Sequence, residues 1–313
     1  MNIDKSLLQD YFKSFDTSKL DDLHHCGQSF PAWHLEMLKD RARLDFYKNL
    51  LEHKVKDKIV LDIGAGSGIL SYLALRFGAK KVYSVEFNPH MQVVYTQLMA
   101  APLTEKRAVL LDMDANNLTL DFFGHDRPEV IVQEIYGANG LSEDVIAVFK
   151  ALQKNGITQN ALILPQICQI MIEPVYSEFY DSSFDLEEFE GFPLNILSQL
   201  GSWKVLDLPY ENAGRWVNSG EEKMLAQIDL QNPVMENVYS LQFNNLRDYS
   251  HLRLSIRVMD GEKVLASSHG QEFSHWTNLY FPIPKWHRKE DETAIFEIAK
   301  ENIYLSRYVS ART

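Results

Sequence analysis

The chain has 313 residues, a formal charge of −12 and a pI near 5.3, with 45% hydrophobic and 12% aromatic residues. That composition excludes a disordered chain, and the acidic balance excludes a general phosphate-binding surface, because nucleic-acid affinity rests on Lys and Arg neutralising phosphates. Two cysteines, Cys26 and Cys168, are too few for a disulfide framework and point to a reducing compartment.

Along the chain, Ile3, Leu7, Leu8, Tyr11, Phe12 and Phe15 fall at helical spacing, which predicts an amphipathic N-terminal helix that docks on the core or covers the site. Asp4 and Asp10 stand where a secretory signal needs an uncharged apolar core, and no run approaches the length of a membrane-spanning helix. The expected setting is cytoplasmic, without a membrane partner. His24, His25 and Cys26 are adjacent and cannot easily converge on one ion, so no metal is expected.

A second helical pattern runs from about Trp33 to Leu51. Then KIVLDIG reads as a buried strand, SGILSYLALRFG as a helix and KKVYSVEF as a strand. A helix through Met91–Met99, strands at AVLLDM and PEVIVQEI, and the helix LSEDVIAVFKALQK continue the βαβ rhythm of a doubly wound parallel sheet. Beyond Pro165 the pattern turns β-rich. HLRLSIRVMDGEKVLASS and ENIYLSRYV read as antiparallel strands, with a hairpin at Asp260-Gly261.

The strongest local signal is VLDIGAGSGIL. Gly64, Gly66 and Gly68 follow a strand and open a helix, where the backbone turns sharply and can approach a ligand. A dinucleotide loop would carry its third glycine one place later, at Ile69. Asp62 precedes the loop, and Glu86 ends the next strand 22 residues after Gly64, where an acid can accept from both ribose hydroxyls. Ribose recognition without a phosphate loop suits S-adenosyl-L-methionine, a cationic sulfonium. The bland alternative is a tight turn beside a solvated strand end. For the adenine, Asp114 is the candidate and Asn116 its rival.

The segment AWHLEMLKDRARLDFY resembles the protein arginine N-methyltransferase family, whose helix reads H-x-x-M-L-x-D-x-x-R. Here His34, Met37, Leu38, Asp40 and Arg43 fill those places. The resemblance implies that Arg43 grips the cofactor's carboxylate, a sound bidentate pairing, with His34 and Met37 also on the cofactor. The family's double-E loop carries two glutamates nine positions apart, matched by Glu134 and Glu143. A guanidinium is a poor nucleophile because its lone pairs are delocalised. Two carboxylates can hold it, aim one nitrogen and draw positive charge from it. Singly, Glu143 could serve a helix start and Glu134 a strand end. The family's Thr-His-Trp is matched by Ser274, His275 and Trp276, which implies that His275 pairs with Asp40 and Trp276 lines the arginine channel.

By the same resemblance the fold is α/β. Residues 1–30 form an N-terminal helix and lid, 31–165 a Rossmann-like class I methyltransferase domain, and 166–313 a β-barrel domain with a dimerisation arm near 180–220. A homodimer is implied. The chain departs from the family at HHCGQSFPA, where the lid tyrosines would stand, at Val145, where a methionine is frequent, and at Gln133, where serine is frequent. The expected activity is transfer of a methyl group from S-adenosylmethionine to the guanidinium of protein arginine or free L-arginine. Another small guanidino compound, or a non-catalytic scaffold, is the alternative. Glu134→Gln or Glu143→Gln is expected to lower turnover while sparing cofactor affinity.

Overall fold

The computed structural model describes residues 33–182, 190, 205–208, 216–261, 263–266, 275–299 and 301–310. The N-terminal amphipathic stripe, the His24–Cys26 run, most of the 180–220 arm and Ser274 lie outside the described residues. The chain divides into two compact units, one of residues 1–135 and 147–165, the other of 136–146 and 166–313. The stretch Tyr136–Ile146, read from sequence with the first domain, therefore groups with the second unit.

In the first unit, the helical pattern from Trp33 to Leu51 is two helices, α1 (Trp33–Lys39) and α2 (Arg41–Leu51). The break falls at Asp40, whose backbone is extended and whose Oδ1 accepts from Arg43 N at 2.9 Å. Aspartate is a strong N-cap and a mediocre helix-interior residue, so the side chain starts α2 rather than continuing α1. Then follow β1 (Ile59–Ile63), α3 (Ile69–Arg76), β2 (Lys81–Glu86), α4 (Pro89–Leu98), α5 (Ala100–Thr104), β3 (Ala108–Asp112), β4 (Val130–Gln133), α6 (Val145–Lys154) and β5 (Leu162–Leu164). Helix α6 begins in the segment grouped with the second unit and continues in the first.

The five strands form one parallel sheet in the order β3-β2-β1-β4-β5. All five residues of β1 are buried, as a central parallel strand covered on both faces requires. Tyr47, Leu50, Val60, Leu70, Ala74, Val82, Tyr95 and Val132 pack into the core on one side of that sheet. The strand order reverses between β1 and β4. Sheets of this kind bind ligands outside the carboxyl ends of the strands at such a switch point. Asp62 and Ile63 end β1, Glu86 ends β2, and Glu134 follows β4 directly.

The second unit contains β6 (Ile167–Tyr176), α7 (Glu178–Ser182), β7 (Leu206–Leu208), β8 (Asn218–Ser219), β9 (Lys223–Asp229), β10 (Val238–Phe243), β11 (His251–Asp260), β12 (Lys263–Ala266), β13 (Asn278–Pro282), β14 (Glu292–Ala299) and β15 (Asn302–Ser310). Its strand pairings are antiparallel, in one large sheet around β6 and β11 and a smaller one in the order β10-β14-β15. This is a parallel Rossmann-like core plus a barrel-like antiparallel unit. The hairpin expected at Asp260-Gly261 is present one residue later: Asp260 pairs with Lys263, so Asp260 is the last strand residue and Gly261, at φ 59, enters the turn.

Candidate active site

Gly64, Gly66 and Gly68 all take positive φ between β1 and α3. The requirement is clearest at Gly66, with φ 54, where a Cβ would lie 2.9 Å from His34 Cε1. Its N–H donates to Glu86 Oε2 at 2.8 Å, and Asn88 N donates to Glu86 Oε1 at 2.7 Å. Glu86 thus ties the glycine loop to the end of β2. A carboxylate has about four acceptor sites, so each oxygen keeps capacity for a further donor. Burial raises the Glu86 pKa, opposed by those backbone donors.

Asp62 is wholly buried, and its Oδ2 accepts from Ser71 Oγ at 2.6 Å. The hydroxyls of Ser71 and Ser84 are 2.7 Å apart, and Ser84 Oγ is 2.6 Å from Tyr95 Oη. This network runs from the end of β1 to α3 and α4, so Asp62 braces the loop through Ser71. Burial pushes the Asp62 pKa up to about 7, against the Ser71 hydrogen bonds; the Glu86 charge adds to the rise and Arg43 offsets part of it.

Arg43, the third residue after the Asp40 cap, is 2% exposed. Its Nη2 donates to Glu134 Oε2 in a buried ion pair, and its Nη1 donates to the Met37 carbonyl at 3.2 Å. Burial disfavours the guanidinium charge, but the Glu134 carboxylate outweighs that and raises the Arg43 pKa. The guanidinium carbon lies 5.6 Å from the Tyr47 ring centroid, a cation–π distance. Arg43 Nε is buried without a hydrogen-bond partner among the described residues. His34 joins the glycine loop to this pair. Its pKa is lowered by burial, with Glu134 opposing and Arg43 reinforcing the shift, so the ring is neutral near pH 7.

Gln133 has a local task. Its Oε1 accepts from Ile135 N at 3.0 Å, its Nε2 donates to the Pro165 carbonyl at 3.4 Å, and its own carbonyl accepts from Tyr47 Oη at 3.0 Å. These bonds fix the backbone on both sides of Glu134.

Asp114 is exposed and caps a single 3-10 turn: its Oδ1 accepts from Asn116 N at 2.8 Å and from Asn116 Nδ2 at 3.0 Å. The two rivals for the adenine are therefore bonded to each other. Sequence reasoning missed Phe87. It directly follows Glu86 and is 73% exposed, the most exposed large hydrophobic side chain among the described residues. A phenylalanine immediately after a strand-terminal acid was the available signal.

In the second unit, Glu143 is exposed on the segment 136–146, just before α6. Trp276 is buried and its ring centroid lies 4.7 Å from that of His275. The structure thus brings His34, Met37, Arg43, Gly66, Glu86 and Glu134 together within the first unit. Glu143, His275 and Trp276 belong to the second.

A family model described as ribosomal protein L11 methyltransferase (PrmA) matches residues 44–186. A probable protein arginine N-methyltransferase 6.1 from Oryza sativa subsp. indica is 30% identical over 169 residues, 53% of this chain and 43% of that protein. The chain thus spans less than half the length of this rice relative. Protein arginine N-methyltransferase 1 of Caenorhabditis elegans is 22% identical over 283 residues, covering 85% of this chain and 80% of that one. Among solved structures, the Trypanosoma brucei PRMT1 enzyme-prozyme heterotetrameric complex with AdoHcy superposes with a TM-score of 0.65 at 20% identity, over 84% of this chain and 86% of that chain. In sequence the chain is similar to protein arginine N-methyltransferases, and it shares its fold with a solved structure of that kind.

Proposed function

We infer that the protein is an S-adenosylmethionine-dependent methyltransferase acting on the guanidinium of arginine in a protein segment. The observation that carries this reading is the buried Arg43–Glu134 pair, joined through His34 to the glycine loop at the carboxyl ends of β1, β2 and β4. The residues fit the cofactor. Gly66 leaves space against His34, Arg43 keeps a buried unpartnered Nε, Glu86 keeps acceptor capacity, and Phe87 offers an open aromatic face. When bound, S-adenosylmethionine supplies an electrophilic methyl group on its sulfonium.

Arg43 would hold the cofactor's carboxylate, Glu86 its ribose, and Phe87 with the Asp114–Asn116 turn its adenine. Met37 and His34 would stand beside the cofactor, and Asp62 would act behind the glycine loop as a brace. Glu134 and Glu143 would share the acceptor guanidinium, aligning one nitrogen and drawing charge toward the others. Trp276 would wall the acceptor channel, and Asp40 with His275 would relay the proton released from the attacking nitrogen. The acidic chain favours a basic partner segment. A homodimer built through the 180–220 arm belongs to the same reading. One structural neighbour, the Trypanosoma brucei PRMT1 enzyme-prozyme complex, is a heterotetramer.

The test offers purified protein and labelled S-adenosylmethionine an arginine-glycine-rich peptide and, separately, free L-arginine, with products identified by mass. Methylation of the peptide at its arginine is expected. Methylation of free arginine alone would replace the protein substrate with a small one. Cofactor binding without transfer to either would overturn the enzymatic reading.

A further inference from the structure

The segment carrying Glu143 is held by features of its own. Asn139 is 4% exposed, and its Oδ1 accepts from Leu141 N and Ser142 N, both at 2.8 Å. That single side chain satisfies two consecutive backbone donors just ahead of Glu143. Its Nδ2 donates to the Glu301 carbonyl at 3.2 Å. Glu301 sits in the tight turn between β14 and β15 with φ 62. The Glu301 side chain returns to the same segment, beside the backbone and side chain of Asp144, the residue after Glu143. Gly140 seats the loop on the large sheet: its φ is 80, and a Cβ there would stand 3.3 to 3.6 Å from Ile256, Ile170 and Cys168. Glu143 therefore lies between two ties, at Asn139 and at Asp144, that converge on one hairpin turn.

We propose that Asn139 and Glu301 are positioning residues that hold Glu143 at the acceptor, through a carboxyl–carboxyl latch between Glu301 and Asp144. This rests on the reading of Glu143 as one of the two guanidinium-holding acids. Two carboxyl groups share a hydrogen bond only when one carries a proton, so the latch depends on pH. Burial, the Asp144 hydrogen bond and the Asp144 charge raise the Glu301 pKa from 4.5 to about 7, and the Asp144 backbone N–H opposes them. Among the described residues, Asp144 is the titratable group acting on Glu301. The raised pKa gives the sign. The tie is at full strength below 4.5 and is lost as pH rises through about 7, where Glu301 gives up the shared proton.

The test measures kcat and KM for an arginine-glycine-rich peptide, and cofactor affinity by calorimetry, from pH 6 to 8.5 in the 313-residue protein. Glu301→Ala is expected to lower kcat/KM for the peptide about tenfold at pH 6.5 and to leave cofactor Kd within about twofold, equivalent to ~1.4 kcal/mol for the tenfold arm. Glu301→Gln should restore most of that loss, because its amide donates to the Asp144 carboxylate without a shared proton. It should also hold kcat/KM higher than wild type, relative to pH 6.5, once pH exceeds 7. Asn139→Asp keeps the two acceptor bonds and loses the donor to Glu301, so an intermediate loss is expected. Wild-type peptide kinetics in Glu301→Ala at every pH, with Glu143→Gln inactive, would overturn the latch and leave the acceptor reading standing. Full activity in Glu143→Gln would overturn both. A matched loss of cofactor affinity in Glu301→Ala would make the residue structural and also overturn the latch.

Discussion

Glu134 and Glu143 are nine positions apart and sit in opposite surroundings. Glu134 is 8% exposed, paired with Arg43, and flanked by the Gln133 bonds to Ile135 and Pro165. Glu143 is exposed, on a segment tied to the antiparallel unit through Asn139, Gly140 and Asp144. The first acid has its charge compensated before any ligand arrives, and losing it strands a buried cation. The second is exposed, so what the fold supplies to it is position. Around Glu134 the fold supplies a buried countercharge, and around Glu143 it supplies a few local bonds.

The largest effect should follow from unbalancing the buried pair. Glu134→Gln is expected to cost about 3–5 kcal/mol of stability, the usual consequence of breaking a buried ion pair by removing one partner. It should also disturb cofactor affinity, because Arg43 is then left without its carboxylate. The sequence alone suggested that both glutamates could be neutralised with cofactor binding intact; the Arg43 contact restricts that expectation to Glu143. Glu143→Gln should change stability by no more than about 0.5 kcal/mol, as an exposed substitution does. Its turnover should still fall roughly 10²–10³-fold, the scale of losing one preorganised electrostatic contact. Urea denaturation with calorimetry of cofactor binding checks both. Equal stability losses in the two variants would break the comparison.

The parallel core was legible because burial on both faces leaves unbroken apolar strands and helices keep their period, as in Ile59–Ile63 and Ile69–Arg76. The helix motif and the paired glutamates were legible as spacing. The contacts that define the site were not. Arg43 meets Glu134 across 91 residues of chain, and Glu86 meets Gly66 across 20, and no local pattern encodes such meetings. Asp40 was legible as a residue and not as a helix break, although its preference for the N-cap could have marked one. Gln133 read only as a departure until its two backbone partners were seen. Asp62 read as a ligand contact, and its buried bond from Ser71, which ties β1 to α3, had no signature in the spacing.

Smaller effects sharpen the same contrast through two glycines. Gly66→Ala would place a Cβ 2.9 Å from His34 and force alanine to φ 54, costing roughly 1–2 kcal/mol for the left-handed backbone alone. Cofactor Kd should weaken about tenfold or more, because the backbone N–H held by Glu86 moves with the loop. Gly140→Ala carries a similar backbone cost at φ 80 but meets Ile256 and Ile170 at 3.3 and 3.4 Å. It should raise peptide KM and leave cofactor Kd near normal. Isothermal calorimetry beside peptide kinetics separates the two. If Gly140→Ala weakened the cofactor as much as Gly66→Ala, the division of labour would be wrong.

The smallest effect concerns two carboxyl groups raised to the same range, each first of all by burial. Asp62 reaches about 7 mainly by burial, and Glu301 reaches about 7 by partial burial beside Asp144. A folded-state pKa raised above the ordinary 3.8 of Asp62 means that its contribution to stability is fully present below 3.8 and is lost as pH rises through about 7. Asp62→Asn keeps an acceptor for Ser71 and carries no charge, so the denaturation midpoint should vary less between pH 4 and 7 than in wild type. Glu301→Gln should instead alter the pH dependence of peptide kinetics, with a weaker effect on that midpoint because Glu301 is only partly buried. A double variant should show the two changes adding independently, since Asp62 braces the cofactor loop and Glu301 the acceptor segment. Chemical denaturation at half-unit pH steps checks this, and an unchanged pH slope in Asp62→Asn would remove Asp62 as the source of the titration.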